Sequence, residues 1–125
     1  MAYPADLRYT KDHEWIRVAG DQAEVGITDY AQQQLGDVVY VDLPDVGRTV
    51  QAGESFGSIE SVKAVSELFA PMSGEVVAVN PTLKDRPEAV NSAPHTTWMI
   101  KVRLANPGDA DSLLDATQYE ALLEP

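Results

Sequence analysis

Few side chains in this sequence could do chemistry, and Lys63 stands in the most suggestive setting. It is one of four lysines and lies within Ile59-Glu60-Ser61-Val62-Lys63-Ala64-Val65-Ser66. Two strand-forming runs, Ser55 to Ser61 and Val65 to Ala70, flank Val62-Lys63 and predict a hairpin tip there. A lysine at such a tip projects its amine into solvent on a flexible four-carbon stem. Any group attached to it would sweep a volume around the domain, while a stiff β scaffold would present the amine in a fixed orientation to a modifying enzyme. From pattern alone, the simpler reading is a solvated surface lysine on an acidic protein.

The other candidates offer less. His13 and His95 are the two histidines, far apart in sequence, and no nucleophile elbow surrounds any serine. Asp12-His13-Glu14 has metal-ligating residue types, but adjacent strand residues point to opposite faces, which hinders chelation. The triplet reads more simply as a solvated strand entrance. A hydrolase built on Asp12 or Glu14 with His13 would need no modification, and that would distinguish it from a carrier. There is no phosphate-binding glycine loop; the eight glycines are scattered, as turns in a β protein would be. With no cysteine, disulfides, thiolate zinc sites, cysteine nucleophiles and iron–sulfur clusters are excluded.

The elements that must position these residues read as mostly β. Glu14 to Val18 and Gln22 to Ile27 flank Ala19-Gly20-Asp21, and Ala23, Val25 and Ile27 alternate with Gln22, Glu24 and Gly26, which predicts a hairpin. Thr28 offers an N-cap for a short helix near 28–35 that Gly36 is placed to end. Gly36-Asp37-Val38-Val39-Tyr40-Val41 recurs 38 residues later as Gly74-Glu75-Val76-Val77-Ala78-Val79. Two similar β units predict pseudo-twofold halves of a flattened barrel or sandwich of two antiparallel sheets. Pro81 to Pro94 reads as a long loop, Thr97 to Leu104 as a final strand, and Asp109 to Leu114 and Ala116 to Leu123 as C-terminal helices, the second with an Asp115 cap. Residues 1–125 are expected to form a single domain.

Twenty acidic against nine basic side chains give a formal charge of −11. Such a surface repels phosphate backbones and anionic membranes, so neither nucleic acid nor membrane is an expected partner. The 44 % apolar content is that of a folded chain. Met1 to Thr10 has no apolar core run, and no stretch is long enough for a membrane span. A bacterial cytoplasm is the expected location, ahead of a mitochondrial matrix, and a monomer the expected state.

Glu60-Ser61-Val62-Lys63-Ala64 resembles the lipoyl-lysine motif of the glycine cleavage system H proteins. The resemblance covers nearly the whole chain: His13-Glu14-Trp15, Val25-Gly26-Ile27-Thr28, Gly36 to Pro44, Ala70 to Val76, and Ser112-Leu113-Leu114-Asp115. Biotin carriers differ, with methionines on both sides of their lysine where Val62 and Ala64 stand here. The family usually has a glycine where this chain has Thr97.

The resemblance implies a non-catalytic carrier in glycine catabolism and one-carbon metabolism, with a hybrid lipoyl/biotinyl-carrier fold and lipoate held by Lys63 as N6-lipoyllysine. Glu60, Ser61, Val62 and Ala64 would form the modification motif read by a lipoate-attaching enzyme. The swinging arm would take an aminomethyl group from a pyridoxal-phosphate-dependent glycine decarboxylase and give it to a tetrahydrofolate-dependent aminomethyltransferase. Dihydrolipoamide dehydrogenase would reoxidise it. A relay of lipoate to other acyltransferase complexes is an alternative that sequence does not separate. An aminomethyl thioether is labile to water, so the arm would be parked in a cleft. By resemblance Glu14 would hold its cationic amine, with Glu67 and Asp12 behind it.

Overall fold

The structure, a computed structural model, describes residues 3–123. Among these residues nine strands form two antiparallel sheets. The larger runs, in spatial order, β1 (Arg8–Tyr9), β2 (Glu14–Ala19), β3 (Gln22–Ile27), β9 (Ile100–Leu104), β8 (Gly74–Val79) and β5 (Thr49–Val50). The smaller runs β4 (Val38–Asp42), β6 (Ser55–Ser61) and β7 (Val65–Phe69). Neither closes on itself, so the expected mostly-β flattened sandwich is the observed architecture.

The predicted hairpin is β2–β3, turning between the paired Ala19 and Gln22, with Gly20 supplying a φ of +67°. Helix α1 (Asp29–Leu35) starts at Thr28, whose Oγ1 accepts the Ala31 N–H at 3.3 Å. It ends at Gly36, whose φ of +78° would strain any side chain. The alternation in β2, β3 and β9 turns Ile16, Val25 and Val102 towards Val38, Ile59 and Leu68 of the small sheet, and together they form the main core.

A second cluster, Leu7, Tyr9, Trp15 and Tyr119, covers the opposite face of the large sheet. Trp15 lies over Gly26, where an added Cβ would sit 2.5 Å from the ring. Helix α4 (Ala116–Leu123) closes this cluster, and Asp115 caps it: its Oδ1 accepts from Gln118 N–H at 2.8 Å while Gln118 Oε1 accepts from Asp115 N–H.

Three expectations need correction. Pro81 to Pro94 is not a bare loop but carries α2 (Thr82–Asp85) and α3 (Ala89–Ser92). Pro81 and Pro87 sit before these turns, where a missing N–H costs nothing, so prolines in a segment read as a loop start helical turns instead. The last strand begins at Ile100 rather than Thr97, because the Trp98 carbonyl accepts from Asn80 Nδ2 at 2.8 Å instead of a neighbouring strand. The stretch before α4 is a 3-10 turn, Pro107–Ser112, started by Asn106 rather than Asp109.

The sequence repeat has a structural echo. Its copies are β4 and β8, one in each sheet, and both break register at the same place, between Val38 and Tyr40 and between Val76 and Ala78. The bulge leaves Val39 and Tyr40 both exposed.

Gly57 of β6 approaches the β4 backbone closely: a Cβ there would stand 2.1 Å from the Asp42 carbonyl oxygen. Gly57→Ala is therefore expected to cost about 2–3 kcal/mol and roughly 10 °C in Tm. Gly108→Ala meets nothing nearer than 3.4 Å and should leave Tm almost unchanged. Calorimetry on the two variants checks the contrast, and equal Tm values would contradict it.

Candidate functional site

Lys63 stands at the β6–β7 tip, as its flanking runs predict, and the tip is firmly built. Ser61 N–H donates to the Ala64 carbonyl at 2.8 Å, and Ser61 Oγ accepts from the Lys63 and Ala64 amides at 3.3 and 3.1 Å. Ser61 is buried, so these bonds form out of water. Val62 N–H donates to the Asp37 carbonyl at 3.1 Å, tying the tip to the approach to β4. Val62 itself is 71 % exposed, and Glu60, Lys63 and Ala64 are exposed beside it. Among the described residues Lys63 has no ion-pair partner. Its stem passes over the end of α1, with Cε 3.6 Å from where a Cβ on Gly36 would stand.

A cleft of about 320 Å³ opens beside this tip. Helix α1 forms one wall through Ala31, Gln34 and Leu35; β7 forms another; Ala64 and Asp12 to Glu14 complete the lining. The fold thus brings Asp12, Glu14 and Glu67 to one cavity next to Lys63, although 55 residues separate Glu14 from Glu67's neighbourhood at Phe69. Ile27, Ile59 and Leu68 supply apolar lining.

The three acids are not equivalent. Asp12 and Glu67 are exposed, and Glu67 accepts from the Ser55 hydroxyl. Glu14 is only 2 % exposed. Its carboxyl accepts from Thr10 Oγ1 at 2.8 Å and from the Phe69 backbone N–H at 3.2 Å. Burial pushes Glu14 up to about 7; the two donated hydrogen bonds pull the other way, and Asp12 adds a smaller push upward. A second cavity of about 310 Å³, framed by Gly53, Phe69 and Leu114, shares Asp12 and Glu14 from the other side.

The sequence placed Asp12-His13 at a strand entrance, but the two residues sit in a turn with His13 at φ +71°. Among the described residues no cluster of three or more metal-ligating side chains occurs. His13 Nδ1 meets the Tyr119 hydroxyl at 2.8 Å, and His95 Nε2 accepts from the Asp29 N–H at 3.1 Å. Both imidazoles are pushed down chiefly by burial, partly offset by Asp12 and Asp29 respectively. Thr10 and Tyr119 were missed from sequence, as was the contact between Thr28, read there only as a cap, and Tyr119. Tyr119 meets partners 91 and 106 residues away, which no local spacing signals, while Thr10 bonds Glu14 only four residues on, across a turn that reads from sequence as a strand entrance.

The family profile described as glycine cleavage H-protein matches residues 7–125. A glycine cleavage system H protein of Acidobacterium capsulatum is 55 % identical over 124 residues, 99 % of this chain and 96 % of that protein. Another, of Koribacter versatilis, is 58 % identical over 120 residues, 96 % of this chain and 93 % of that protein. The crystal structure of a glycine cleavage system H protein from Mycobacterium marinum superposes with a TM-score of 0.88 at 44 % identity, covering 95 % of this chain and 97 % of that one.

The Glu14 geometry makes a pH prediction. Its native value lies above the ordinary 4.5, so the stability linked to it is complete below about 4.5 and is lost as pH rises through about 7. Over that window the native state holds the extra proton, and the linked loss amounts to about 3 kcal/mol at most. The half-buried histidines act oppositely as pH falls, so wild type must be compared with Glu14→Gln. Denaturant unfolding at pH 5 and pH 8 should show a larger fall in stability for wild type than for Glu14→Gln; parallel behaviour would contradict it.

Proposed function

The chain belongs to the glycine cleavage H-protein family, and on that premise we propose that residues 1–125 form one lipoyl-carrier domain whose Lys63 holds lipoate in amide linkage. The observation that carries the reading is the exposed Lys63 amine on a rigid turn, beside a cleft bearing Asp12, Glu14 and Glu67. The attachment point fits the group. The amine is unpaired among the described residues, it stands at the tip of a hairpin, and Val62 and Ala64 leave it open to a modifying enzyme. Once attached, lipoate supplies a disulfide that takes up a one-carbon group together with two electrons and surrenders both in turn.

The chain's own residues do the rest. Ser61 holds the turn so that the arm leaves from a fixed point. The aminomethyl cargo carries a cationic amine, and Glu14 accepts it in a place walled by Ile27, Leu35 and Leu68, where water is scarce. Asp12 and Glu67 add negative charge at the rim and guide the amine inward. With its value near 7, Glu14 both holds an ammonium as carboxylate and can carry a proton at the same oxygens. Docking must stay weak, since every ~1.4 kcal/mol cuts the free population tenfold.

The partners are a pyridoxal-phosphate-dependent glycine decarboxylase that loads the cargo, a tetrahydrofolate-dependent aminomethyltransferase that takes it, and dihydrolipoamide dehydrogenase, which restores the disulfide. A lipoate-attaching enzyme acts first. On this reading the chain is a carrier, not a catalyst, and works in the bacterial cytoplasm as a monomer. Amidation of Lys63 moves the charge from −11 to −12, so partners meet it with basic surfaces. The exposed Tyr40, Val62 and Val65 give those contacts an apolar centre around the lysine.

Intact mass tests the attachment. Co-expression with a lipoate ligase should add one lipoyl group, Lys63→Arg should abolish the increment, and an increment that persists in Lys63→Arg would overturn the assignment. In the lipoylated protein Glu14→Ala should hasten loss of the aminomethyl cargo at neutral pH by about tenfold, the equivalent of one weak docking contact. Equal loss from wild type and Glu14→Ala would remove Glu14 from this role.

A further inference from the structure

Tyr119 lies in the C-terminal helix, 106 residues from His13 and 91 from Thr28, and belongs to no motif considered above. It is fully buried, with its ring stacked on Tyr9 at 4.7 Å. Its hydroxyl lies 2.8 Å from His13 Nδ1 and 2.7 Å from Thr28 Oγ1. A neutral His13 with its proton on Nε2 accepts from the phenol. The phenol accepts from Thr28, and Thr28 Oγ1 accepts from the Ala31 N–H at 3.3 Å. Every polar atom in the chain of contacts then has a partner, in keeping with the absence of orphaned buried side-chain atoms among the described residues.

Both residues that the phenol touches shape the cleft. Among the described residues His13 is the one non-glycine at positive φ, +71°. A side chain in the left-handed region is disfavoured unless its surroundings hold it there. His13 is held on both sides by backbone bonds, its N–H to the Thr10 carbonyl at 3.1 Å and its carbonyl from the Thr28 N–H at 3.0 Å. It stands between Asp12 and Glu14, so its conformation decides where both acids sit. Thr28 starts α1, the opposite wall. One hydroxyl from the end of the chain therefore touches the hinge of the acidic wall and the cap of the helical wall together.

We infer that Tyr119 is a positioning residue for the cargo cleft: its hydroxyl holds His13 left-handed and Thr28 at the head of α1, and so fixes the spacing between the acids and the helix. This rests on the reading of the cleft as the place where the aminomethyl cargo is held. A purely supportive role for Tyr119 would run through its ring, which packs on Tyr9 and anchors α4. The two roles separate cleanly, because Tyr119→Phe keeps the ring and removes the hydroxyl.

The first test uses the unlipoylated protein. In Tyr119→Phe, NMR couplings and backbone shifts should move His13 away from positive φ, and amide exchange at Ala31 and Gln32 should quicken by about threefold or more. The second uses mass-verified lipoylated protein loaded with the aminomethyl group. Tyr119→Phe should lose its cargo about threefold or more faster than wild type, and that effect should shrink to less than half in a His13→Gly background, where positive φ needs no support. Equal acceleration in both backgrounds would show that the hydroxyl does not act through the His13 backbone, and would overturn the inference. So would wild-type behaviour of Tyr119→Phe while Glu14→Ala accelerates. If Glu14→Ala and Tyr119→Phe both retain cargo like wild type, the reading of the cleft itself falls. Should Tyr119→Phe not fold, His13→Ala is set against His13→Gly: faster loss in the alanine variant supports the inference, and equal rates overturn it.

Discussion

Glu14 places an ionisable carboxyl between the two sheets, and the geometry around it follows from satisfying that group. It opens β2 in the large sheet, yet its carboxyl accepts from Phe69 at the end of β7 in the small one. A buried carboxyl without donors would be costly, and Thr10 and Phe69 are what make it tolerable. The same bonds fix how far apart the sheets stand at this edge, and therefore the width of the cleft beside Lys63. An apolar residue would tie the sheets more cheaply, but would leave nothing to meet a cation. A buried carboxyl in the wall is what the proposed docking of a cationic cargo would require.

On the proposed reading, two demands on the Lys63 region conflict, and the fold answers them in different places. An attachment point must be open to enzymes of different shapes, which favours the exposed Val62-Lys63-Ala64 tip. A labile cargo must be shielded, which favours burial. Ser61 and the Asp37 carbonyl make the tip stiff without covering it, while shielding is left to α1 and β7 a few residues away. On that reading a long arm on Lys63 would bridge the two, so neither site would have to compromise.

What could be read from sequence was what local chemistry decides. The Gly20 turn, the Thr28 cap, Gly36 at the end of α1, the Asp115 cap and the Val62-Lys63 tip each depend on residues within a few positions. The prolines at 81 and 87 misled because proline breaks a helix from inside but suits its first turn, and spacing alone does not say which applies. His13 was invisible for a different reason. Its left-handed backbone is bonded to Thr10 and Thr28, and its ring meets Tyr119, which arrives from the far end of the chain. The acidic trio was named by resemblance, but the burial that sets Glu14 apart from Asp12 and Glu67 is a tertiary property.

The repeat explains where the site comes from. Aligning the two bulged strands by their registers sets Val38 with Ser61 against Val76 with Val102, and Ile59 against Ile100. The third strands then correspond as well, β7 beside β6 and β3 beside β9. Each half is thus a bulged strand, a middle strand and a partner, in pseudo-twofold relation. Ser61 and Val102 occupy matching inward positions and both are buried. Val102 can only pack, so β9 runs on through Arg103 and Leu104. Ser61 instead offers an oxygen that takes the Lys63 and Ala64 amides, which lets the chain reverse at once into β7. One half of the sandwich is closed by a tight turn and the other is not, and the lysine stands on the turn. The exposed amine is therefore a consequence of a buried hydroxyl two residues before it, and the rest of that half is the ordinary β structure that its counterpart also has.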